Sequence, residues 1–154
     1  MFALTKKSDY ALIALSHMTR SGNAVCSARE VASLYHLSPA LLMNVLKGLT
    51  RRGLVRSSRG AKGGYALAEE PEDITLARVI EAVEGPLRVA RCKPHDQAAN
   101  GQNCDLADTC PLRSPVRRVQ GKLEEFLSKI TLAEIAMEWP EVAPEAQLAA
   151  GVQA

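Results

Sequence analysis

Three observations predict a mainly α fold carrying one small β-hairpin. Short apolar-periodic segments are each introduced by a Ser or Thr start signal, and two brief β-prone runs flank the glycine-rich stretch Arg59-Gly60-Ala61-Lys62-Gly63-Gly64. A later segment repeats apolar residues at alternating steps of 3 and 4.

The first helix is expected from Thr5 to about Arg20, where Tyr10, Ile13, Ala14, His17 and Met18 share helical spacing and no Gly or Pro interrupts. Ser21-Gly22-Asn23 ends it. Ser27-Ala28-Arg29-Glu30 reads as a capping box for a short second helix reaching Tyr35. After the His36-Leu37 turn, Ser38 is placed as the N-cap of a third helix, with Pro39 at the first helical position, where a missing N–H costs nothing. Leu41, Leu42, Val45, Leu46 and Leu49 line that helix, and Gly53 stops it. Two short helices around a tight turn, the second bearing Asn44, Lys47, Arg51 and Arg52, form a helix-turn-helix pattern. Leu54–Ser58 and Tyr65–Leu67 read as the strands of a wing whose tip carries Arg59 and Lys62.

Thr75 is expected to cap a fourth helix over Leu76, Val79, Ile80 and Val83, ended by Gly85-Pro86. Ser114-Pro115 starts a long helix with Val116, Val119, Leu123, Phe126 and Ile130 on one seam, a face that requires an apolar partner. Thr131 caps a last short helix through Leu132, Ile135 and Ala136. The expected organisation is therefore a winged helix-turn-helix domain over residues 1–86, a cysteine-bearing loop over 87–113, a dimerisation helix and closing helix over 114–137, and a flexible tail over 138–154.

A chain of 154 residues has room for one compact domain with a modest core, or for a small domain and an extension. Apolar residues at 47% and charged residues at 23% place it among folded globular proteins and away from the disordered class. No apolar run of the length that spans a bilayer occurs, and the first residues lack a signal-peptide core, so a cytoplasmic location is expected. In a reducing compartment, four cysteines argue for a metal site or buried thiols and against a disulfide framework.

The formal charge of +2 conceals two halves of opposite sign. Residues 1–68 hold ten Lys/Arg against Asp9 and Glu30, a net +8, whereas residues 69–154 hold nine against fifteen acidic residues, a net −6. The basic half is suited to a polyanion. Duplex DNA supplies phosphates for cations and a major groove that admits one helix. Ser38, Ala40, Leu41, Asn44 and Lys47 are the candidate groove-facing residues, with Asn44 matched to an adenine edge and Lys47 to a guanine or a phosphate. Arg59 and Lys62 would reach phosphates or the minor groove.

Cys92, Cys104 and Cys110 lie in a long polar stretch that apolar burial cannot order. They are separated by eleven and five residues and include no Cys-x-x-Cys pair, unlike a zinc ribbon. Thiolates favour soft metals, and an iron-sulfur cluster normally takes four protein ligands. Zinc and a thiol-disulfide switch stay open as alternatives. Cys26, alone beside Ser27, reads as a small buried residue.

Ser8-Asp9-Tyr10, the wing Arg59-Gly60-Ala61-Lys62-Gly63-Gly64-Tyr65, Ala90-Arg91-Cys92 and Ile130-Thr131-Leu132-Ala133-Glu134-Ile135 together resemble the IscR/NsrR/RirA family of winged-helix regulators over residues 1–137. The resemblance implies a homodimer paired through the long helix, a palindromic DNA operator, and DNA affinity set by an iron-sulfur cluster on Cys92, Cys104 and Cys110. IscR-like members carry a fourth-ligand histidine where this chain has Arg113, which cannot ligate. In NsrR-like members an aspartate near the N-terminus, donated by the partner subunit, completes the set, and Asp9 matches it. Asp9 also suits the positive end of the first helix dipole, and His95 is a third candidate ligand. The wider Cys92–Cys104 spacing and Met43, at a position that is acidic in IscR-like members, leave cluster nuclearity (2Fe-2S or 4Fe-4S) and operator sequence open.

The expected function is thus a cluster-controlled repressor of iron-sulfur assembly or iron homeostasis genes. A nitric oxide or redox sensor of the same family and a zinc-binding interaction module are the alternatives. No enzyme is expected: the histidines at 17, 36 and 95 are scattered, no nucleophile or phosphate-binding motif accompanies them, and no small-molecule substrate or membrane is implied.

Overall fold

The computed structural model describes residues 4–60, 63–89 and 109–138. Among them, α1 (Lys6–Arg20), α2 (Ala28–Leu34) and α3 (Pro39–Arg51) precede a hairpin of β1 (Val55–Ser58) and β2 (Gly64–Leu67). Then come α4 (Leu76–Glu84), α5 (Arg113–Lys129) and α6 (Leu132–Met137). This is the mainly α fold with a β wing expected from the pattern of elements.

Local chemistry accounts for most element ends. Thr5, Ser27, Thr75 and Thr131 each accept a hydrogen bond from a backbone N–H in the first turn of α1, α2, α4 and α6. The reciprocal capping box, expected at Ser27/Glu30, is found complete at Thr131/Glu134. There the Glu134 carboxylate accepts the Thr131 N–H at 2.7 Å while Thr131 Oγ1 accepts the Glu134 N–H at 3.2 Å. Gly22 and Asn23 leave α1 through left-handed φ values of 64° and 58°. α5 begins one residue before the expected Ser114, which puts Pro115 in the first turn, where its absent N–H would lack an intrahelical partner in any case.

α1 is the central post. Ala11, Ala14, Leu15 and Met18 are fully buried on it, and it packs on α3, α4 and α6. Leu42, Val45, Leu46 and Leu49 of α3, Leu54, Val55, Leu67, Ile74 and Val79 complete one continuous core. Leu132 of α6 belongs to that core as well. A bridge between Thr75 and Thr131, with Leu76 N–H donating to Ile130 O at 2.9 Å and Leu132 N–H to Ile74 O at 2.8 Å, fastens the α5–α6 junction to the start of α4.

β1 and β2 pair antiparallel, Val55 opposite Leu67 and Ser58 opposite Gly64. Cys26 adds a third backbone partner: its N–H donates to Tyr65 O at 3.0 Å and its carbonyl accepts the Tyr65 N–H at 2.9 Å. At the other end of the wing base, Arg78 grips the Glu69 carboxylate with two hydrogen bonds of 2.7 and 2.8 Å and also donates to Asp73 O.

The long helix differs from a plain seam. Leu127, outside the 3-4 series, is its buried residue, whereas Val119 and Phe126, on the series, are 54% and 60% exposed. The chain's own packing therefore half-covers Val116, Leu123 and Ile130 and buries Leu127, leaving Val119 and Phe126 of the heptad series exposed.

Candidate nucleic-acid interface

The buried stripe of α3, Leu42, Val45, Leu46 and Leu49, turns the opposite face outward. Ala40, Asn44 and Lys47 lie on that outer face at i, i+4 and i+7, all exposed, followed by exposed Arg51. Ser38 is exposed at the N-cap. Leu41 is half-buried and packs on the core, as does Met43, so the polar positions between them form the outermost ridge. Arg59 is exposed just beyond β1. Lys62 lies outside the described residues.

Ser38 departs from its expected role. It occupies the N-cap position, but its side chain makes no capping bond. Its backbone N–H instead donates to the phenol oxygen of Tyr10 on α1 at 3.0 Å. Seven residues on along α1, His17 Nδ1 lies 3.2 Å from the hydroxyl of Tyr35, the residue that ends α2. Desolvation by burial holds the His17 imidazole below its ordinary pKa, with Glu30 opposing and Arg20 adding to the effect.

The wing base is set by residues that patterning alone did not single out. Asn23 Oδ1 accepts the Leu67 N–H at 2.7 Å, and its Nδ2 donates to Leu67 O at 3.4 Å. Cys26 is buried, as expected, and its thiol donates to Tyr65 O at 3.6 Å. Burial pushes the Cys26 thiol above its ordinary pKa, which keeps it a neutral packing group.

Of the expected cluster ligands, Cys92, Cys104 and the candidate His95 lie outside the described residues. Cys110 is half-buried just ahead of α5, beside a cleft of about 560 Å3 that it lines with Pro111, Arg113, Ser114, Arg117 and Arg118. Asp9 is exposed in the first turn of α1. Beside it, Ser8 is fully buried and donates to the Glu84 carboxylate at 2.8 Å, an acceptor it shares with Thr5 Oγ1. Among the described residues, no three His, Cys, Asp or Glu side chains gather as a metal site.

Residues 4–138 match the family model named Rrf2, described as iron-dependent transcriptional regulators. The chain belongs to the Rrf2 family. The regulator NsrR of Bacillus licheniformis is 29% identical, the match covering 87% of this chain and 92% of that one. Among solved structures, the global cysteine regulator CymR of B. subtilis superposes with a TM-score of 0.70 at 26% identity, covering 91% of this chain and all of that one. IscR of T. potens gives a TM-score of 0.66 at 27% identity, covering 99% and 94%. The family is one of transcriptional regulators, and the NsrR and IscR relatives bear regulator names. Among the described residues, no helix is long and apolar enough to cross a membrane.

Proposed function

We propose that this Rrf2 protein is a cytoplasmic homodimeric repressor that reads a palindromic operator, with an affinity set by an iron-sulfur cluster. The observation that carries the DNA-reading half is the outer face of α3: exposed Ser38, Ala40, Asn44 and Lys47 rise from a helix whose other face is locked in the core, with Arg59 exposed on the neighbouring wing. Asn44 supplies the paired donor and acceptor that suit an adenine edge, Lys47 a donor to guanine or phosphate, and Arg59 and Lys62 positioning charge. Leu41 contributes its exposed edge alone, because its remainder packs on the core.

For the cluster half, the donor set fits: three thiols of Cys92, Cys104 and Cys110, with the carboxylate of Asp9 from the partner subunit as fourth ligand. Cys110 sits beside a cleft walled by Arg113, Arg117 and Arg118, cations that suit the negative charge of a thiolate-bound cluster. When bound, such a cluster supplies reactivity toward oxygen, nitric oxide and iron scarcity. The chain's own part is to carry the ligand cysteines in residues 87–112, ahead of α5, and to pair α5 and α6 across the two-fold axis. The exposed Val119 and Phe126 supply the apolar surface for that pairing. The iron-dependent description of the matching family supports targets in iron-sulfur assembly or iron homeostasis, with nitric oxide sensing as the rival signal.

The test is anaerobic purification with iron and acid-labile sulfide analysis, coupled to a DNA-binding titration under nitric oxide, oxygen and a chelator. A brown protein containing iron and sulfide, whose Cys104→Ala variant loses colour and changes operator affinity, is expected. A colourless protein containing zinc overturns the cluster, and unchanged affinity in Cys104→Ala overturns control of DNA binding by it. Arg59→Ala is expected to weaken DNA binding with the cluster intact.

A further inference from the structure

A helix that begins at the N-cap Ser38 without a side-chain cap leaves its starting direction to other contacts. α3 has Pro39 at its first position, which fixes one φ but provides no donor to anchor it. Among the described residues, a polar side-chain contact to the N-cap backbone comes from elsewhere in the fold, from the Tyr10 hydroxyl, which accepts the Ser38 N–H at 3.0 Å. Tyr10 is 7% exposed, and its neighbours along α1, Ala11, Ala14 and Leu15, are fully buried, so its phenol oxygen is held on a rigid base.

That base is braced at both ends. Ser8, two residues before Tyr10, is tied to Glu84 of α4 at 2.8 Å. His17, two helical turns further along the same face, meets Tyr35 at 3.2 Å, the rings edge to face with centroids 5.6 Å apart. The turn between α2 and α3 thus has its first residue held by His17 and its last by Tyr10, with His36 between them in a left-handed conformation at φ 52°. Leu37 N–H donates back to Ala32 O at 2.8 Å, which secures the α2 side of the turn independently.

We propose that Tyr10 is a positioning residue for DNA reading: from α1 its hydroxyl fixes the N-terminus of α3, and with it the angle at which Asn44 and Lys47 are presented. This rests on the reading of α3 as the groove-entering helix. Groove contacts depend on the direction of that helix, whereas phosphate attraction depends on the number of cations and is indifferent to it. If α3 samples several directions, operator affinity falls in proportion to the competent fraction and non-specific affinity stays put.

The experiment uses the full-length protein as purified anaerobically and two duplexes, one carrying a site selected by the wild-type protein from a random library and one a scrambled version. Tyr10→Phe keeps the ring and its packing, and the His17–Tyr35 contact still holds the α2 end of the turn. The operator affinity of Tyr10→Phe is expected to fall about five- to tenfold, with scrambled-duplex affinity and the salt dependence of binding unchanged within about twofold. Leu15→Ala serves as the comparator for loss of stability alone. It lowers the melting temperature and is expected to leave the operator-to-scrambled ratio of the folded fraction unchanged. A ratio for Tyr10→Phe equal to wild type, while Lys47→Ala and Asn44→Ala lower operator affinity, overturns the inference and leaves the reading of α3 standing. Unchanged operator affinity in Lys47→Ala and Asn44→Ala overturns that reading, and this inference with it.

Discussion

The side-chain amide of Asn23 grips the backbone of Leu67 from both sides, accepting its N–H at 2.7 Å and donating to its carbonyl at 3.4 Å. Asn23, in the turn just after α1, thereby holds β2, and the wing is fastened to the end of the helical post 44 residues earlier in the chain. Asn suits the position twice, because it tolerates the left-handed φ of 58° and carries both a donor and an acceptor. Asn23→Ala is expected to cost about 2–3 kcal/mol, the sum of about 1–2 for the left-handed backbone and about 1 for the hydrogen bonds. Asn23→Gly removes the backbone part and is expected to cost only about 1 kcal/mol. Urea unfolding of both variants checks this, and equal losses would rule out the backbone contribution.

Gly64 faces a different constraint. A β-carbon there would lie 2.4 Å from the carbonyl oxygen of Cys26 and 2.8 Å from its carbonyl carbon, both backbone atoms that cannot swing aside. Gly64→Ala is therefore expected to break the Cys26–Tyr65 bridge, lose about 2 kcal/mol and expose the Cys26 thiol. Thiol labelling in a background with the other three cysteines replaced by Ser reads this directly as a faster reaction of Cys26. Gly48, in the interior of α3 with nothing within 4 Å of its β-carbon position, is the contrasting case. Gly48→Ala is expected to stabilise by about 0.5–1 kcal/mol.

His17 makes stability depend on pH. Its pKa is lowered by burial, so the unfolded chain takes up a proton at a higher pH than the folded one. The contribution of neutral His17 is fully present above its ordinary value of about 6.5 and is lost as pH falls from there through the lower folded value. The midpoint of urea unfolding measured from pH 8 to 5 is expected to fall less steeply for His17→Gln than for the wild type. Parallel curves would show that another group is responsible.

Leu132 and Phe126 separate two kinds of apolar residue near the C-terminal end of the described chain. Leu132 is 1% exposed in the core shared with α1, and Leu132→Ala is expected to cost about 2–5 kcal/mol. Phe126 is 60% exposed, and Phe126→Ser is expected to weaken association of two chains while the secondary structure of each survives. Sedimentation velocity at several concentrations distinguishes this from unfolding. An unchanged sedimentation coefficient at every concentration would remove Phe126 from the pairing surface.

The helix-turn-helix and wing were legible because their signals are local. Start residues, the Ser-Pro pair, helical spacing and glycine punctuation each act within a few residues, and the structure places α1 to α4 and the hairpin within about two residues of the boundaries they suggest. The outer ridge of α3 followed from the same spacing, since a helix that buries Leu42, Val45, Leu46 and Leu49 must expose Ala40, Asn44 and Lys47. Leu41 and Leu127 were less legible, because which edge of a stripe is covered depends on what arrives from elsewhere in the chain. Leu127 stands at helical spacing from Leu123 and Ile130, and periodicity alone does not decide whether it or Phe126 is the edge that the rest of the chain covers.

Sequence by itself determined the order and type of the elements, the net basic charge of residues 1–68 and the placing of three cysteines at 92, 104 and 110, all of which follow from residue type and spacing along the chain. Tertiary structure alone decided that Tyr10 serves the N-terminus of α3, that Asn23 and Cys26 hold the wing, and that Glu84 ties Thr5 and Ser8 to α4. Each of those contacts joins residues 28 to 79 positions apart, where no local pattern specifies a partner. For Ser8 and Tyr10 the reason is burial: α1 runs through the middle of the core and holds their hydroxyls away from water and against the neighbouring elements that supply their partners.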